Sequence, residues 1–481
     1  MSWEAVIGVE THVELRTASK MFCGCPVDFS SEPNTNVCPV CLGLPGALPV
    51  PNGRAIEMTV SVGLALGCRI AADSEFSRKN YFYADLPKNY QISQFDRPLC
   101  VGGSLEVEVG DATVAVGITR VHLEEDTGKS THLGGSGRIH AAEAALIDFN
   151  RSGVPLMEVV TEPDMRSPEQ ARAYAAELRA IVLALGVSDA RLEEGSLRFD
   201  ANVSVRPPGA SELGVKVEVK NMNSLRSLQR ALAYEIDRQT ALAEAGERIA
   251  QETRHWDEAA GVTKPGRSKE QSSDYRYFPE PDLVPLHVDD EYRERIAAAL
   301  PELPGPRRDR YRSMGLDAEA ARLLAAGDGL GGVFEDAVAA GADPAAAANW
   351  LTGEVVAHLR RTEQEPAGIE LDGVALAELM AMVAAGEVSA TAAKTVLAGV
   401  LDGEGRPRVV AAARDLMQID DAGALQAAVI DAFGAHPDEL ARLRGGDQKL
   451  IGFFVGRVML ATGGRADPRK VSDLIRTKAA E

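Results

Sequence analysis

The feature that most constrains this chain is its opening run, Val6-Ile7-Gly8-Val9-Glu10-Thr11-His12-Val13-Glu14-Leu15, in which apolar and polar residues alternate. A period of two is the pattern of a β-strand with one buried and one accessible face. Glu10, His12 and Glu14 then leave the same face, because strand side chains point alternately to opposite sides. Two carboxylates and an imidazole on a rigid strand can hold a divalent metal, or they can simply meet water. A second acidic run, His122-Leu123-Glu124-Glu125-Asp126-Thr127-Gly128-Lys129, is flanked by strand-like sequence and favours the metal.

With 481 residues the chain has room for two to four domains and an ample core. It is 45% hydrophobic and 25% charged, as soluble globular proteins are. No apolar run is long enough to span a bilayer, and the start reads as a strand instead of a basic-then-apolar leader. Glu4 and Glu10 argue against a mitochondrial transit peptide, so the expected location is the cytoplasm. The net charge of −20 argues against a protein that coats nucleic acid non-specifically, though not against a local basic patch. From Ala441 onward the balance reverses, with nine Lys/Arg against four Asp/Glu. A basic tail on an acidic body is a candidate site for RNA or an acidic partner, or else a solvated helical face.

Four of the six cysteines cluster as Cys23-Gly24-Cys25 and, twelve residues on, Cys38-Pro39-Val40-Cys41. In a cytoplasmic chain such pairs favour a metal over disulfides. Four thiolates at this spacing suit a closed tetrahedral zinc, with Gly and Pro between ligands making tight turns. This zinc is expected to be structural, stapling the Pro-rich segment from Pro26 to Pro51. The alternative is four reduced or redox-active cysteines. Cys68, in an apolar run, is expected in the core.

Residues 1–293 are rich in strand-like runs, among them Leu105 to Val116, Ala144 to Phe149, Leu197 to Val205 and Val215 to Val219. Ser167-Pro168-Glu169-Gln170 supplies a cap, a first-turn proline and a capping-box glutamine for a helix ending at Gly186, and Asn223-Ser224 opens another to about Ala245. Many strand pairs are too close in sequence for crossover helices, so the reading is α+β with a mainly antiparallel sheet. Beyond the Pro-rich stretch Pro301–Pro306 alanine dominates and helical periodicity replaces strands. With a second break at Gly403–Pro407, the expected parts are a cradle domain at 1–293 with the knuckle at 23–41, a helical domain at 294–407 and a helical tail domain at 408–481.

Polar residues of the first part fall in dense runs beside strands. Arg198, Asp200 and Asn202 share one face, as do Lys216, Glu218 and Lys220. Several such strands side by side make the floor of a polar cleft. Carboxylates there can hold Mg²⁺, and Lys or Arg can neutralise phosphate, which is what phosphoryl transfer requires. No P-loop, kinase Gly-rich loop or nucleophile elbow occurs, so a nucleotide would bind on the sheet face.

These runs resemble those of a known family, the B subunits of bacterial glutamyl-/aspartyl-tRNA amidotransferases, over essentially the whole chain. The carriers are Ile7–Leu15, Arg78-Lys79-Asn80-Tyr81-Phe82-Tyr83, Tyr90–Asp96, His122–Ser130, Phe149-Asn150-Arg151, Glu162-Pro163-Asp164, Glu193–Arg198 and Asp274-Tyr275-Arg276-Tyr277-Phe278-Pro279-Glu280-Pro281-Asp282, with Gly452–Met459 in the tail. The resemblance implies a glutamine-synthetase-like first domain and an ATP- and Mg²⁺-dependent reaction on tRNA carrying the wrong amino acid, Glu on tRNA(Gln) or Asp on tRNA(Asn). The side-chain carboxylate is phosphorylated and then amidated by ammonia channelled from a glutaminase A subunit, while a small C subunit belts the two together into a heterotrimer. It implies that Glu10, His12, Glu124, Glu125 and Glu158 hold Mg²⁺. Glu10, His12, Glu125, Lys79 and Arg151 are the expected catalytic residues. Lys79, Lys88, Arg198, Asp200, Asn202, Tyr275 and Arg276 are expected at the nucleotide. Cys23, Cys25, Cys38 and Cys41 match a zinc knuckle that some members lack, and the basic tail matches the part that reaches tRNA. Ala84, where a proline is expected, and Gly266, where a methionine is common, depart from the pattern. Two rival readings are a non-catalytic tRNA-binding scaffold and a zinc-dependent nucleic-acid regulator, the second disfavoured by the acidic bulk.

Overall fold

The computed structural model describes residues 3–28, 30–133, 143–266, 275–327, 329–418 and 422–481. The chain divides into two compact units, Met1–Pro304 and Gly305–Glu481.

The first unit is built on strands β1 (Glu4–Glu14), β2 (Arg69–Ile70), β3 (Asp73–Ser74), β4 (Ser77–Asn80), β5 (Tyr90–Ser93), β6 (Cys100–Val101), β7 (Ser104–Val109), β8 (Ala112–Glu125), β9 (Lys129–Leu133), β10 (Ala144–Asp148), β11 (Pro155–Thr161), β12 (Leu197–Arg206), β13 (Val217–Lys220), β14 (Thr253–Asp257), β15 (Val262–Pro265), β16 (Phe278–Pro279) and β17 (Leu286–His287). Ten form one sheet in the order β15-β14-β13-β12-β1-β11-β8-β6-β2, with β7 also paired to β8. Every neighbouring pair is antiparallel except β13 with β14. The mixed α+β reading therefore holds. The expected single strand from Leu105 to Val116 is corrected: Val109 faces Ala112 across a two-residue turn at Gly110-Asp111, and β7 and β8 form a hairpin. Gly110 supplies the φ of 59° that such a turn favours.

From Glu10 onward β1 keeps its alternation, with Glu10, His12 and Glu14 half-buried and Thr11, Val13 and Leu15 buried. Helices α1 (Gly53–Ala65), α2 (Pro168–Ala184) and α3 (Leu225–Glu244) bury their apolar sides in the core on the other face. Tyr174, Leu178, Leu228 and Leu232 meet Val9, Val13 and Val203 in that core. The expected caps form: Ser167 Oγ accepts from the Gln170 amide and Ser224 Oγ from the Ser227 amide. The Gln170 side chain accepts from the Arg166 amide, one residue before the cap, so the second bond of the capping box is displaced by one. The expected edge at residue 293 falls inside α4 (Asp290–Ala298), whose Ile296 is buried in the sheet-domain core.

In the second unit all the described elements are helices, with one core from Tyr311 to Ala411 and another from Leu425 to Ile475. The expected helical periodicity appears, among others, as the helices Ala318–Leu324, Pro344–Asn349 and Gly373–Ala384. The helix Pro407–Ala413 places Val410 and Ala411 in the first of these cores. No described helix is long and apolar enough to cross a membrane.

Candidate functional site

Antiparallel register places residues directly opposite one another on the same face of a sheet. Here it brings His12 opposite Glu158, Glu158 opposite His122, Glu10 opposite Asp200 and Asn202 opposite Glu218. These side chains, Asn202 apart, form the floor of a cleft of about 1060 Å³. Its walls include Lys79 on β4, Lys220 on β13, and the rings of Tyr81, Phe95, Tyr275 and Tyr277.

Two groups of potential metal ligands stand on this floor, each with donor atoms within 4.8 Å of one another. One is His12, Glu124 and Glu158, with His12 Nε2 3.8 Å from an oxygen of each carboxylate. The other is Glu10, Asp200 and Glu218. The second is an all-oxygen set of the kind Mg²⁺ takes, and the first adds an imidazole that softer divalent ions also accept. The electrostatics fit a missing positive charge. Burial, and after it the Glu158 charge, raises the Glu10 carboxyl above its ordinary range, although Asn202 Nδ2 donates to it at 3.0 Å. Burial also opposes ionisation of Glu158, but His122 at 3.2 Å and then His12 hold that carboxyl well below the usual range. A divalent ion is the ordinary remedy for such crowded carboxylates.

The nearby cations are held charged. Burial works against the Lys79 ammonium, yet Glu124, Tyr277, Tyr275 and Glu158 together keep it above its ordinary value. Its Nζ lies 5.0 Å from the centre of the Tyr275 ring, and Tyr277 stacks on Phe95 at 4.1 Å. Lys220 donates to Asp200 at 2.6 Å and reaches Glu218 at 3.0 Å, and these carboxylates raise it against its burial. Thus Glu10, His12, Glu124, Glu158, Lys79, Asp200 and Tyr275 meet at the cleft, with Asn202 hydrogen-bonded to Glu10 behind it. His122, Glu218 and Lys220, absent from the residues assigned by the resemblance, also line the cleft, from the acidic run and the alternating polar face already legible in the sequence. Their alternation with cleft-facing positions on β8 and β13 is the signal that carries them.

Five expected residues are placed elsewhere. Glu125 follows Glu124 on β8 and so faces the other way; it pairs with Lys88 Nζ and accepts from the Ile92 amide at 2.9 Å. Neither Glu125 nor Lys88 lines the cleft; the structure pairs them with each other beside it. Arg151 donates to the carbonyls of Thr127 and Gly128 at 3.0 and 3.1 Å, and Arg198 donates to Asp126 at 3.1 Å. The buried Asp126 and the half-buried Glu14 hold both guanidiniums outside the cleft lining. The Glu14 carboxyl is pushed up to about 8 by burial, then by the charge and hydrogen bond of Asp126. Arg276 sits at φ 48° between the two tyrosines, does not line the cleft, and gives its carbonyl to Asn80 Nδ2 at 2.9 Å. Asp274 and Arg267 lie outside the described residues.

Residues 5–294 match the family described as the GatB/GatE catalytic domain, and residues 332–478 match the GatB domain. The chain is 53% identical to the B subunit of the aspartyl/glutamyl-tRNA(Asn/Gln) amidotransferase of Frankia casuarinae, over 98% of this chain and 95% of that relative. It is 50% identical to the protein of the same name in Synechocystis sp., over 98% and 97%, and 49% identical to that in Moorella thermoacetica, over 99% and 100%. The chain belongs to this family of amidotransferase B subunits. The resemblance read from the motifs is borne out across the whole length, and the two metal-ligand groups lie within the family's catalytic-domain match.

The knuckle of this family member also assembles. Sγ atoms of Cys23, Cys25, Cys38 and Cys41 all lie within 4.8 Å of one another, and Cys38 and Cys41 are 3.9 Å apart. Tetrahedral zinc with Zn–S near 2.3 Å requires sulfurs about 3.8 Å apart, so the residues present fit that ion. The Cys38 amide donates to Cys41 Sγ at 3.1 Å, a bond common where a thiolate is bound. Cys68 and Cys100 are buried free thiols in the sheet-domain core, as expected of Cys68.

Proposed function

We infer that this chain is the amide-forming subunit of a tRNA-dependent amidotransferase, acting on Glu-tRNA(Gln), Asp-tRNA(Asn) or both. The observation that carries the reading is the pairing of two three-residue ligand groups, five carboxylates and one imidazole, on one sheet face beside Lys79. A carboxylate is a poor acceptor for ammonia, because its leaving group would be an oxide. In the proposed reaction a side-chain carboxylate oxygen attacks the γ-phosphorus of ATP and ADP leaves. Ammonia then attacks the carbonyl carbon, inorganic phosphate departs with the bonding electrons, and an amide remains.

Glu10, His12, Glu124, Glu158, Asp200 and Glu218 are the residues proposed to hold Mg²⁺. Bound there, Mg²⁺ would offset the negative charge of the phosphoryl oxygens. Lys79 and Lys220 are proposed to face phosphate oxygens, and Tyr275 and Tyr277 to line the path of a nucleotide or a single-stranded tRNA end. Arg151 and Arg198 act one layer behind, fixing the turn after β8. The first unit is proposed to share the glutamine-synthetase-like fold of its family, and the four cysteines to hold structural zinc. The proposed setting is cytoplasmic, in a heterotrimer with a glutaminase subunit and a small C subunit, with the tail domain (408–481), whose basic run starts at Ala441, on tRNA.

The test is amide formation on Glu-tRNA(Gln) by the assembled complex with ATP and Mg²⁺, given glutamine or ammonium, comparing wild type with Glu158→Gln. Both nitrogen donors are expected to work with wild type and neither with the variant. Wild-type rates from the variant with ammonium would replace this reading with that of a tRNA-binding scaffold.

A further inference from the structure

Lys20 is 1% exposed, a rare location for an ammonium group. No described carboxylate pairs with it. Its Nζ donates to the Phe149 carbonyl at 3.0 Å and to Cys41 Sγ at 3.8 Å. A buried charge of this kind requires an opposite charge or a full set of hydrogen bonds. Four thiolates around one divalent ion leave two negative charges uncompensated. The ammonium and the four-cysteine centre thus supply what the other lacks.

The backbone reinforces the contact. The Lys20 amide donates to the Cys25 carbonyl at 3.0 Å, and the next amide, Met21, donates to the Gly153 carbonyl at 2.7 Å. Gly153 has φ 86°, and a Cβ there would lie 3.5 Å from Lys20 Cδ and 3.7 Å from Cys41 Cβ. The turn Phe149–Gly153 also carries Arg151, which grips the Thr127 and Gly128 carbonyls.

We propose that Lys20 is the buried counter-cation of the four-cysteine metal centre and the positioning residue that ties this centre to the 149–153 turn. The inference rests on the zinc reading above. It assigns the knuckle a role beyond stapling a loop: through Lys20, the charge state of the metal centre bears on the turn behind the cleft. If Lys20 served only to satisfy the Phe149 carbonyl, metal retention would not depend on its charge.

The experiment uses the full chain loaded with Zn²⁺, and in parallel with Co²⁺, as wild type, Lys20→Met, Lys20→Gln and Lys20→Arg. Zinc release to a chromogenic chelator and the sulfur-to-cobalt charge-transfer band are measured. Residues behind metal ligands typically change affinity by about 10- to 100-fold, so Met and Gln are expected to release zinc at least about tenfold faster. Their charge-transfer band is expected to move to longer wavelength, because removing a cation raises the energy of the thiolate electrons. Arg is expected to restore both. Wild-type release rates and an unmoved band in Lys20→Met, or in Lys20→Gln should the Met variant fail to fold, overturn the proposal. A wild-type chain that takes up neither metal with four-sulfur spectra overturns the zinc reading itself, and the Lys20 role with it.

Discussion

Replacing Lys88 with Met should loosen β5 by several kcal/mol, and the loss should depend on Glu125. The two side chains are 5% and 3% exposed, so each is shielded from water as a partner. Without Lys88, the Glu125 carboxylate keeps the Ile92 amide at 2.9 Å but no cation. Breaking a buried pair by removing one member costs about 3–5 kcal/mol, mostly because the survivor stays charged in a poor solvent for charge. Glu125→Gln removes that charge, so the double variant should regain about 2 kcal/mol or more over the sum of the single changes. The assay is native-state hydrogen exchange of the amides in 90–93. About 3 kcal/mol of lost protection corresponds to exchange roughly two orders of magnitude faster, at 1.4 kcal/mol per tenfold. Additive effects of the two substitutions would refute the pairing. A second measurement separates the pair from the metal site: Glu125→Gln should leave divalent-cation binding unchanged. Loss of that binding would return Glu125 to the ligand set.

Glu158→Gln and Asp200→Asn should each weaken Mn²⁺ binding by about tenfold or more, each at its own group of ligands; titration by electron paramagnetic resonance with unchanged stoichiometry and affinity in both would refute the two-group assignment. Gly43→Ala should destabilise the knuckle edge by about 1–3 kcal/mol, since φ is 67° and the new Cβ would overlap Lys88 Cγ; an unaltered melting temperature would count against that packing. Glu14 has its folded-state carboxyl pushed up to about 8 from 4.5, so folding takes up a proton between these values and the Glu14 contribution to stability falls as pH rises through that window. Glu14→Gln should lack this decline, and calorimetric melting curves of the two proteins that stay parallel from pH 5 to 8 would contradict the assignment.

Much of the site is visible in the sequence because a strand has a fixed two-residue period. Glu10 and His12 on β1, and Asp200 and Asn202 on β12, require only that each run be a strand. The caps at Ser167 and Ser224 are legible for a similar reason: a side-chain acceptor satisfies an amide a few residues away. What a local pattern cannot convey is which of two adjacent acids faces the cleft. In His122-Leu123-Glu124-Glu125 the answer depends on register with β11, which pairs His122 with Glu158 and sends Glu125 toward Lys88. The arginines escape a local reading for another reason. Charge and motif position mark Arg151 and Arg198 as available cations, but burial of Asp126 and Glu14 beside them consumes that charge internally. The break at Gly110-Asp111 carries an ordinary hairpin signal inside a run that otherwise reads as one strand.

The charge of the cleft bears on how a polyphosphate could enter it. Its described lining holds six Asp/Glu against four Lys/Arg, so with neutral histidines the walls are net negative. Lys220 is already engaged by Asp200 and Glu218, and Lys79 stands near Glu124 and Glu158. A nucleotide triphosphate would therefore meet carboxylates before it met unengaged cations. Divalent ions change the sign of that encounter. One ion at each acidic group would add four positive charges, convert repulsion to attraction, and release Lys220 and Lys79 from their present partners toward phosphate. On the proposed function, the acidic face is no obstacle to an ATP reaction but a reason for that reaction to require Mg²⁺. The proposed cation sites and the proposed phosphate site would form one electrostatic unit, in which Glu10 is the most telling member. Its carboxyl is raised by burial and by the Glu158 charge, and binding a cation would bring it down, releasing protons that a titration of metal into the protein would record.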